Sequence, residues 1–345
     1  MLLSVCIPTH HGRAEKLERL LDGLVSQLEA DERVELCVSD NASEDATNEV
    51  MARVSARLGN RVRYQRHPVN RGFTRNLVAA VELASAKWCW FLGSDDLVSP
   101  TAVADITALV ERYPEAAGGT LYRTQAHHDD AGEERRVDPA RLLPNEPERE
   151  REVLGEDAIV RNLAQLQDFI STQVVDRELW QEVIASLGEA GLVRGRLYPH
   201  LLVIGMMVRS RPRWFWFPRE TVLQHIGATS VYEHETGYDP ADYEVRILRD
   251  RALIWAELHG RSSPLYRAAL RRTWHRHFEV RDILGIKLHP GTRPPNELAL
   301  LGEAVRDFWW LPRFWATTFL ILVIPSAVWR LIQRPILLAR TIRAR

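Results

Sequence analysis

The sequence contains few cysteines and almost no net charge. It has three cysteines in 345 residues, and Cys6, Cys37 and Cys89 each lie within a predicted apolar strand. Thiols in such positions are typical of a reducing, cytosolic compartment and argue against a disulfide framework or a metal site. A net charge of −1 and a charged fraction of 26% give no reason to expect nucleic acid as a partner. The composition is that of an ordinary globular protein with room for one large domain or two.

Motifs that would assign a function directly are also missing. No G-x-G-x-x-G follows the first predicted strand and no G-x-x-x-x-G-K-[ST] occurs, which argues against dinucleotide and P-loop sites. The apolar run at residues 2–7 is too short for a secretory signal and is followed by His10, His11 and Arg13. We therefore expect a cytoplasmic protein.

Strands and helices alternate through the first hundred residues. Short apolar runs at 3–7, 34–38, 62–64 and 88–92 are bounded by turn residues, and a helical pattern follows each one. This alternation predicts an α/β protein with a doubly wound, mainly parallel sheet.

The stretch from Trp88 to Pro100 gives the strongest indication of a site. An apolar strand ends there in Gly93-Ser94-Asp95-Asp96, and a helix follows. Two ionised aspartates side by side repel each other, so the pair indicates a cation, such as a divalent metal that carries phosphates. The alternative is that both carboxylates only begin the next helix, where negative charge suits the helix dipole.

Polar residues also end the first two strands. Pro8 and Thr9 follow the first strand, and Asp40 and Asn41 follow the second. Because the carboxyl ends of parallel strands share one edge, these residues should converge with the aspartate pair on one crevice. Asp40 is placed to accept hydrogen bonds from a base or a ribose, and the alternative for it is an Asx turn or a helix cap.

Two arginines precede the aspartate pair. Arg71 and Arg75 stand four residues apart, so they share one face if the chain is helical from Thr74 onward. They are then placed to clamp phosphate, and the alternative is an ordinary solvated helix face.

Four segments together resemble the family-two glycosyltransferases of the GT-A fold. In chain order they are Ser4-Val5-Cys6-Ile7-Pro8-Thr9, Val38-Ser39-Asp40-Asn41-Ala42-Ser43-Glu44-Asp45, Asn70-Arg71-Gly72 with Asn76, and Phe91-Leu92-Gly93-Ser94-Asp95-Asp96. The resemblance covers residues 3–120. It implies a nucleotide-sugar donor, a divalent cation (Mn²⁺ or Mg²⁺) and inversion at the anomeric carbon.

The resemblance also implies roles for matching residues. Pro8 and Thr9 would lie beside the nucleotide, Asp40 would bind the base, and the aspartate pair would hold the metal and the ribose, with Asp96 as the direct metal ligand. Gly93 departs from the commonest pattern, D-x-D-D, and glycine there resembles the abequosyltransferase-like branch, which builds bacterial O-antigen. The expected donor-binding residues are Pro8, Thr9, Asp40, Asn41, Arg71, Arg75 and Asp95.

The family usually completes its metal site with a late histidine. The segment His225-Ile226-Gly227-Ala228-Thr229-Ser230 looks like that pattern, so we expect His225 to join Asp95 and Asp96, with His234 as a weaker substitute.

The family's usual catalytic base, an aspartate at a helix start, has no counterpart here. No acidic residue occurs between Gly191 and Arg219, and His200 is the titratable side chain at that helix start. A structural role for His200 is an equal alternative, and Glu189 is the nearest carboxylate. The segment at 125–157, rich in charge and proline, is expected to be a long loop.

The carboxyl-terminal segment is apolar and cationic. Residues 314–329 contain no charge, are interrupted by Pro325 and are flanked by arginines. Three alternatives are open for this run: a helix lying in the cytoplasmic leaflet, a membrane span, or a buried hairpin or dimer interface. We predict a GT-A domain at 1–235, with a nucleotide-sugar half at 1–120 and an acceptor half at 121–235. A helical extension follows at 236–345, with a membrane-associating tail at about 308–345.

Taken together, the sequence predicts a metal-dependent, inverting glycosyltransferase of the hexosyltransferase type. It would act on a saccharide acceptor, lipid-linked and at the inner face of the cell membrane, in O-antigen-like polysaccharide synthesis. The alternatives are a nucleotidyltransferase and a non-catalytic GT-A scaffold that binds saccharide or an assembly complex.

Overall fold

A computed structural model of the chain describes residues 1–128, 134–137, 149–164, 167–193, 198–226, 243–277, 280–288, 296–329 and 331. The chain divides into two units, Met1–Ser230 and Val231–Arg345. His234 and residues 129–133 and 138–148 lie outside the described residues. The segment at 125–157 was expected to be a long loop, but its described part contains strands at Glu134–Val137 and Arg151–Leu154.

The first part of unit 1 alternates strands and helices in the predicted order. The strands are β1 (Leu3–His10), β2 (Val34–Asn41), β3 (Val62–Arg66) and β4 (Trp88–Phe91), and the helices between them are α1 (Ala14–Ala30), α2 (Thr47–Leu58) and α3 (Gly72–Glu82). Every residue of β2 is buried, as is every residue of β1 except the last. Burial on both faces is typical of a parallel sheet that helices cover on either side.

The second part of unit 1 contains more strands than helices. Its elements are β5 (Leu97–Val98), α4 (Ala102–Arg112), β6 (Gly118–His128), β7 (Glu134–Val137), β8 (Arg151–Leu154), α5 (Glu156–Leu163), β9 (Gln173–Asp176), α6 (Arg177–Val193), α7 (Pro199–Ser210) and β10 (Arg213–Ile226).

The two faces of the sheet carry separate apolar cores. Side chains of Val5 and Ile7 enter one core and Cys6 enters the other, because successive residues of a strand point to opposite faces. Helices α1, α2 and α4 contribute to the first core, and α3, α6 and α7 to the second.

The sheet is mixed, and most strands along its main path are parallel, as predicted. Its order is β3-β2-β1-β4-β9-β6-β10-β5, with β7 paired to β6 and β8 to β10. The strands β3, β2, β1 and β4 are parallel, and β6 and β10 pair in parallel with each other. Because β9 runs antiparallel to both β4 and β6, strands β6 and β10 point the same way as β4. The antiparallel direction of β9 was not predicted, because apolar periodicity identifies a strand without fixing its direction.

Unit 2 is helical in its described residues. Its helices are α8 (Tyr243–His259), α9 (Pro264–His277), α10 (Val280–Leu288), α11 (Glu297–Phe308), α12 (Pro312–Ala316) and α13 (Thr318–Val323).

The apolar run at 314–329, for which a helix in the leaflet, a span and a buried hairpin or dimer interface were open, is broken into short pieces. Thr317, between α12 and α13, has φ −132° and ψ −80°, and Ile324 is extended before Pro325. The buried Lys287 donates from Nζ to the carbonyls of Leu322 and Ile324 at 2.9 and 2.6 Å, which closes the end of α13. None of the helices described here has the length and apolarity that crossing a membrane requires.

Candidate active site

Three loops meet at the carboxyl edge of the parallel half of the sheet. Strand β1 lies between β2 and β4 and pairs in parallel with both, in a register that sets Thr9 beside Asp40 and Cys6 beside Phe91. The residues after parallel neighbours emerge at the same edge. The structure therefore brings the ends of the three strands together, as the sequence predicts.

The loops after β1 and β2 are bonded to each other. Asp45 Oδ2 accepts from the backbone N–H of Gly12 at 2.6 Å, and its Oδ1 accepts from the N–H and hydroxyl of Thr47 at 3.1 and 2.5 Å. One carboxylate thus fixes the turn after β1 and the first residue of α2.

Asp40 is buried, and protein groups bond both of its carboxylate oxygens. Its Oδ1 accepts from the backbone N–H and hydroxyl of Ser43 at 3.0 and 2.5 Å, and its Oδ2 accepts from the hydroxyl of Tyr64 at 2.8 Å. In this turn Ala42 has φ +64°, in the left-handed region that L residues seldom occupy. Because Asp40 is fully buried, contact with a nucleoside would require one of the groups that cover its carboxylate to move.

Asn41 connects the end of β2 to the start of α3. Its Nδ2 donates to Asn70 Oδ1 at 2.6 Å, and its Oδ1 accepts from the backbone N–H of Arg71 at 2.6 Å. Arg71 is exposed and immediately precedes α3, and Arg75 is half-buried one turn further on. The structure thus places both arginines in the segment that Asn41 ties to the sheet edge.

A buried polar network lies below these loops. Ser39 Oγ contacts His67 Nε2 at 2.9 Å and donates to Asn76 Oδ1 at 2.7 Å, and Asn76 Nδ2 donates to the carbonyl of Thr9 at 2.8 Å. The hydroxyl of Thr9 is buried and has no hydrogen-bond partner among the described residues. An orphaned buried hydroxyl is a group that a bound ligand can satisfy. Pro8, the preceding residue of β1, is also buried.

Asp95 forms an ion pair that the sequence analysis missed. Its Oδ2 lies 2.5 Å from Nη1 of Arg13, whose side chain is 5% exposed, against 28% for Asp95. Arg13 also contacts His10 through Nε at 3.3 Å. The position of Arg13 in the loop after β1, at the predicted edge, is the signal that could have identified it.

Asp96 is buried and bonded to a residue from the second half of unit 1. Its Oδ2 accepts from the hydroxyl of Ser171 at 2.5 Å, and Ser171 Oγ in turn accepts from the backbone N–H of Gly93 at 2.8 Å. A Cβ at position 93 would lie 3.0 Å from Asp96 Oδ2, 3.2 Å from Ser171 Oγ and 3.3 Å from Asp95 Oδ1. Glycine therefore lets these three oxygens gather, and no sequence signal pointed to Ser171.

The charge of Asp96 is poorly compensated. Burial raises its pKa to about 8, and the neighbouring charge of Asp95 also raises it, against the lowering effects of Ser171, Arg123 and Arg13. Arg123 lies in β6 with its guanidinium carbon 4.1 Å from the ring centroid of Phe169. Strongly perturbed carboxyls of this kind are concentrated at functional sites.

Asp95 and Asp96 are the described residues best suited to hold a divalent cation. The described part of the chain contains no group of three or more histidine, cysteine, aspartate and glutamate side chains that could hold one. The pair nevertheless fits a cation that takes its other ligands from phosphate, because magnesium sites of this type use one or two carboxylates. Since Arg13 already neutralises Asp95, Asp96 has the greater need of positive charge.

His200 lies in the first turn of α7, at the predicted helix start. It is buried, and its Nε2 is 2.9 Å from the carbonyl oxygen of Asp168. Because a carbonyl only accepts, Nε2 carries the proton of the neutral ring and Nδ1 carries the lone pair. Asp168 lies just before the 3-10 turn Ile170–Thr172, which contains Ser171. The same short segment therefore contacts His200 through Asp168 and Asp96 through Ser171.

The two remaining candidates are Glu189, the alternative base, and His225, the expected third metal ligand. Glu189 follows a kink in α6 at Gly188, where φ is +63°, and its side chain lies outside the described residues. His225 lies near the end of β10, paired with Ala126 of β6, and its side chain is likewise not described.

Comparison with known proteins shows that the segment containing this edge is similar to one family. Residues 4–162 match the family described as Glycosyl transferase family 2. The abequosyltransferase RfbV of Salmonella typhimurium is 40% identical over 104 residues, which are 30% of this chain and 31% of that protein. The uncharacterized glycosyltransferase MG060 of Mycoplasma genitalium is 29% identical over 106 residues, 30% of this chain and 35% of that protein. The matched segment thus spans about a third of each curated relative.

Solved structures give the fold. S. aureus TarS 1–349 in complex with UDP-GlcNAc has a TM-score of 0.59 at 15% identity, over 90% of this chain and 82% of that one. Mannosyltransferase PcManGT from Pyrobaculum calidifontis, in complex with GDP-Man and Mn²⁺, has a TM-score of 0.50 at 16% identity, over 95% and 86%. These likenesses confirm the predicted GT-A fold with a helical carboxyl-terminal part.

Proposed function

We propose that this chain, whose residues 4–162 match glycosyl transferase family 2, transfers a sugar from a nucleoside diphosphate sugar to a saccharide acceptor. The observation that carries the proposal is the Asp95–Asp96 pair at the carboxyl edge of the sheet, where the loop after β4 lies beside the loop after β1. A poorly compensated carboxylate pair in a crevice suits a ligand that brings positive charge and phosphate together.

The loops at this edge supply the donor site. The orphaned hydroxyl of Thr9 and the adjacent Pro8 would lie beside the nucleotide, and Asp40 with Asn41 would contact the nucleoside. Asp40 would do so by exchanging a bond from Ser43 or Tyr64 for one from the ligand. Arg71 and Arg75, at the start of α3, would add positive charge toward the phosphates.

The aspartate pair would hold a divalent cation, Mn²⁺ or Mg²⁺, with Asp96 as the direct ligand and His225 as a further one. Such a cation supplies neutralisation of the leaving diphosphate. The ion pair with Arg13 holds the side chain of Asp95 in place.

The acceptor must lose a proton as it attacks. With inversion, the acceptor oxygen bonds to the anomeric carbon as the bond from that carbon to the diphosphate breaks. His200 would take the hydroxyl proton on Nδ1, since Asp168 holds Nε2 in its protonated form. His200→Ala should lower turnover by roughly 10²–10⁴ and leave donor affinity unchanged. Near-normal turnover would transfer the role to Glu189 or to the segment at 125–157.

We infer the acceptor from the relative. RfbV is an abequosyltransferase, which supports a saccharide acceptor in O-antigen-like polysaccharide synthesis, carried on lipid at the inner face of the cell membrane. A homodimer is an alternative state of assembly.

The most informative experiment is a thermal-shift screen with UDP-, GDP-, CDP- and dTDP-sugars, each with and without Mn²⁺. A ligand at a hundred times its Kd should add about 2.7 kcal/mol to the free energy of unfolding. One sugar nucleotide should stabilise the protein more than its free nucleotide does. If none stabilises the protein, the proposal is wrong.

The two rival functions separate in a second measurement on the same samples. A nucleotidyltransferase would release pyrophosphate from a nucleoside triphosphate, whereas the proposed enzyme releases nucleoside diphosphate from its donor. A non-catalytic scaffold would bind the donor without hydrolysing it when Mn²⁺ is present.

A further inference from the structure

The last helices of unit 2 have a packed side and an exposed side. On the packed side, Phe314, Ile321 and Leu322 are buried, and the hydroxyl of Thr318 in α13 accepts from Trp274 Nε1 of α9 at 3.2 Å. Lys287 of α10 also contacts this segment, because its Nζ donates to the carbonyls of Leu322 and Ile324 at the end of α13. These contacts make the segment a fixed part of the helical unit.

The exposed side is apolar. Trp309 is 60% exposed, Trp315 39%, Leu320 53% and Val323 43%. These four residues and the partly exposed Phe319 are together called the outer surface.

Contacts link the aromatic members of the outer surface, and helical spacing links its aliphatic members. The indole N–H of Trp315 donates to the carbonyl of Trp309 at 2.8 Å, and the rings of Trp315 and Phe319 lie 4.7 Å apart. Leu320 and Val323 lie three residues apart on α13 and are neighbours on its surface. Val328 and Leu331, just after α13, are also exposed. Soluble proteins seldom expose continuous apolar surface without a partner for it.

The charge of this part of the sequence has one sign. From residue 308 to residue 345 there is no aspartate or glutamate, and six arginines occur, at positions 313, 330, 334, 340, 343 and 345. Tryptophan in an apolar surface, with arginines close to it in sequence, is the composition that membrane interfaces select.

We propose that the outer surface docks on a bilayer that contains anionic phospholipid. The aromatic and aliphatic side chains enter the headgroup region, and the arginines pair with lipid phosphates. A second copy of the chain suits this surface less well, because a two-fold contact would bring the exposed Arg313 of each copy together with no acidic residue from 308 to 345 to pair with it. The inference rests on unit 2 alone and does not depend on the proposed function.

Flotation of the full chain with vesicles tests the proposal without donor or acceptor. The protein should float with vesicles of phosphatidylglycerol and phosphatidylcholine, and binding should weaken at high salt, which screens the arginines. Pure phosphatidylcholine vesicles should bind it weakly. The double variant Leu320→Asp/Val323→Asp should lose at least tenfold in vesicle affinity, because it places two carboxylates on the exposed apolar surface. Arg340→Gln/Arg343→Gln should lose roughly fivefold per charge and retain less salt dependence.

Leu253→Ser is the matched control, because Leu253 is 45% exposed on α8 of the same unit but lies outside the outer surface. It should bind as the unchanged chain does. Circular dichroism must show that each variant is folded, which is expected since every substituted side chain of α13 is exposed. The proposal is overturned if the intact protein stays off anionic vesicles at low salt. It is also overturned if Leu320→Asp/Val323→Asp converts a dimer to a monomer without changing vesicle affinity, because the occupant would then be a second copy.

Discussion

Two buried carboxylates in unit 1 differ sharply in how the protein compensates their charge. Glu35 is the second residue of strand β2. Its carboxylate accepts hydrogen bonds from the hydroxyl of Ser4 at 2.6 Å and from Nε of Arg63 at 2.9 Å. It also accepts from the backbone N–H groups of Ser85 and Ala86 at 2.6 and 3.2 Å. Asp96 accepts one described hydrogen bond, from Ser171, and lies beside a second carboxylate. Hydrogen bonds satisfy the carboxylate of Glu35, whereas that of Asp96 lacks enough donors or positive charge. The two are called here the complete site and the incomplete site.

The pKa values move in opposite directions for this reason. Burial alone would raise the pKa of Glu35, but the hydrogen bonds from Ser4, Ser85 and Arg63 lower it below its ordinary value. Burial also raises the pKa of Asp96, and there the compensation is insufficient. A carboxylate that the protein fully satisfies stabilises the fold, whereas one left unsatisfied at a sheet edge is available to a ligand.

The largest effect is expected at the incomplete site. Asp96→Asn should lower donor turnover by roughly 10²–10³, because the amide removes the negative charge that a cation or donor needs there. Steady-state turnover with and without Mn²⁺ measures this. Asp22→Asn, at an exposed aspartate of α1, is the control and should leave turnover unchanged. Equal Mn²⁺ dependence in Asp96→Asn and the unchanged chain would refute the assignment.

The complete site should respond in stability. Glu35→Gln should cost about 3 kcal/mol, because the amide cannot accept all the bonds that converge on the carboxylate and leaves buried donors unpaired. Chemical denaturation gives the free energy of unfolding. Glu111→Gln, which removes an exposed ion pair with Arg33, should cost less than about 1 kcal/mol. Similar costs for both variants would show that the bonds to Glu35 contribute little.

The sequence predicts features that depend on local patterns, but it does not predict contacts between residues far apart in the chain. The positions of β1, β2 and β4 follow from apolar runs and breakers, and their parallel pairing brings the strand ends to one edge without further information. The ion pair of Arg13 with Asp95 joins residues 82 positions apart, and the bond of Ser171 to Asp96 joins residues 75 apart. Such partners depend on how irregular loops close over the edge, which periodicity does not encode.

The tail shows the same limit. Hydropathy identified 314–329 as an apolar run interrupted by Pro325, but it did not predict the break at Thr317 or the contact of Lys287 that closes one piece. A buried lysine that bonds distant carbonyls leaves no trace in local composition. The difference in pKa between Glu35 and Asp96 likewise depends on hydrogen-bond donors that are distant in sequence.

Ser171 supplies the one described hydrogen bond to Asp96, so its removal should widen the contrast with Glu35. Ser171→Ala should weaken donor binding roughly tenfold, because it deletes a hydrogen bond to a carboxylate and unpairs the N–H of Gly93. Calorimetric titration of the donor measures the affinity. Ser186→Ala removes a hydroxyl from the exposed surface of α6 and should leave the affinity unchanged. An affinity loss as large in Ser186→Ala would indicate a general effect on folding.

The smallest effect is the pH dependence of stability, and its sign distinguishes the two carboxylates. The pKa of Glu35 is lowered in the folded state, so its contribution is present at neutral pH and is lost as pH falls through the folded value. The pKa of Asp96 is raised from 3.8 to about 8, so the folded state holds a proton that the unfolded state has released above about pH 4. The stability that this proton confers declines as pH rises from 4 to 8. Asp96→Asn removes the decline, and its Tm should exceed that of the unchanged chain by roughly 5 °C at pH 8 but by little at pH 4. Thermal unfolding across this range, with EDTA to exclude divalent cations, gives the difference. A Tm difference that does not change with pH would mean that Asp96 is ionised in the folded state, and that Arg13, Arg123 and Ser171 already compensate its charge.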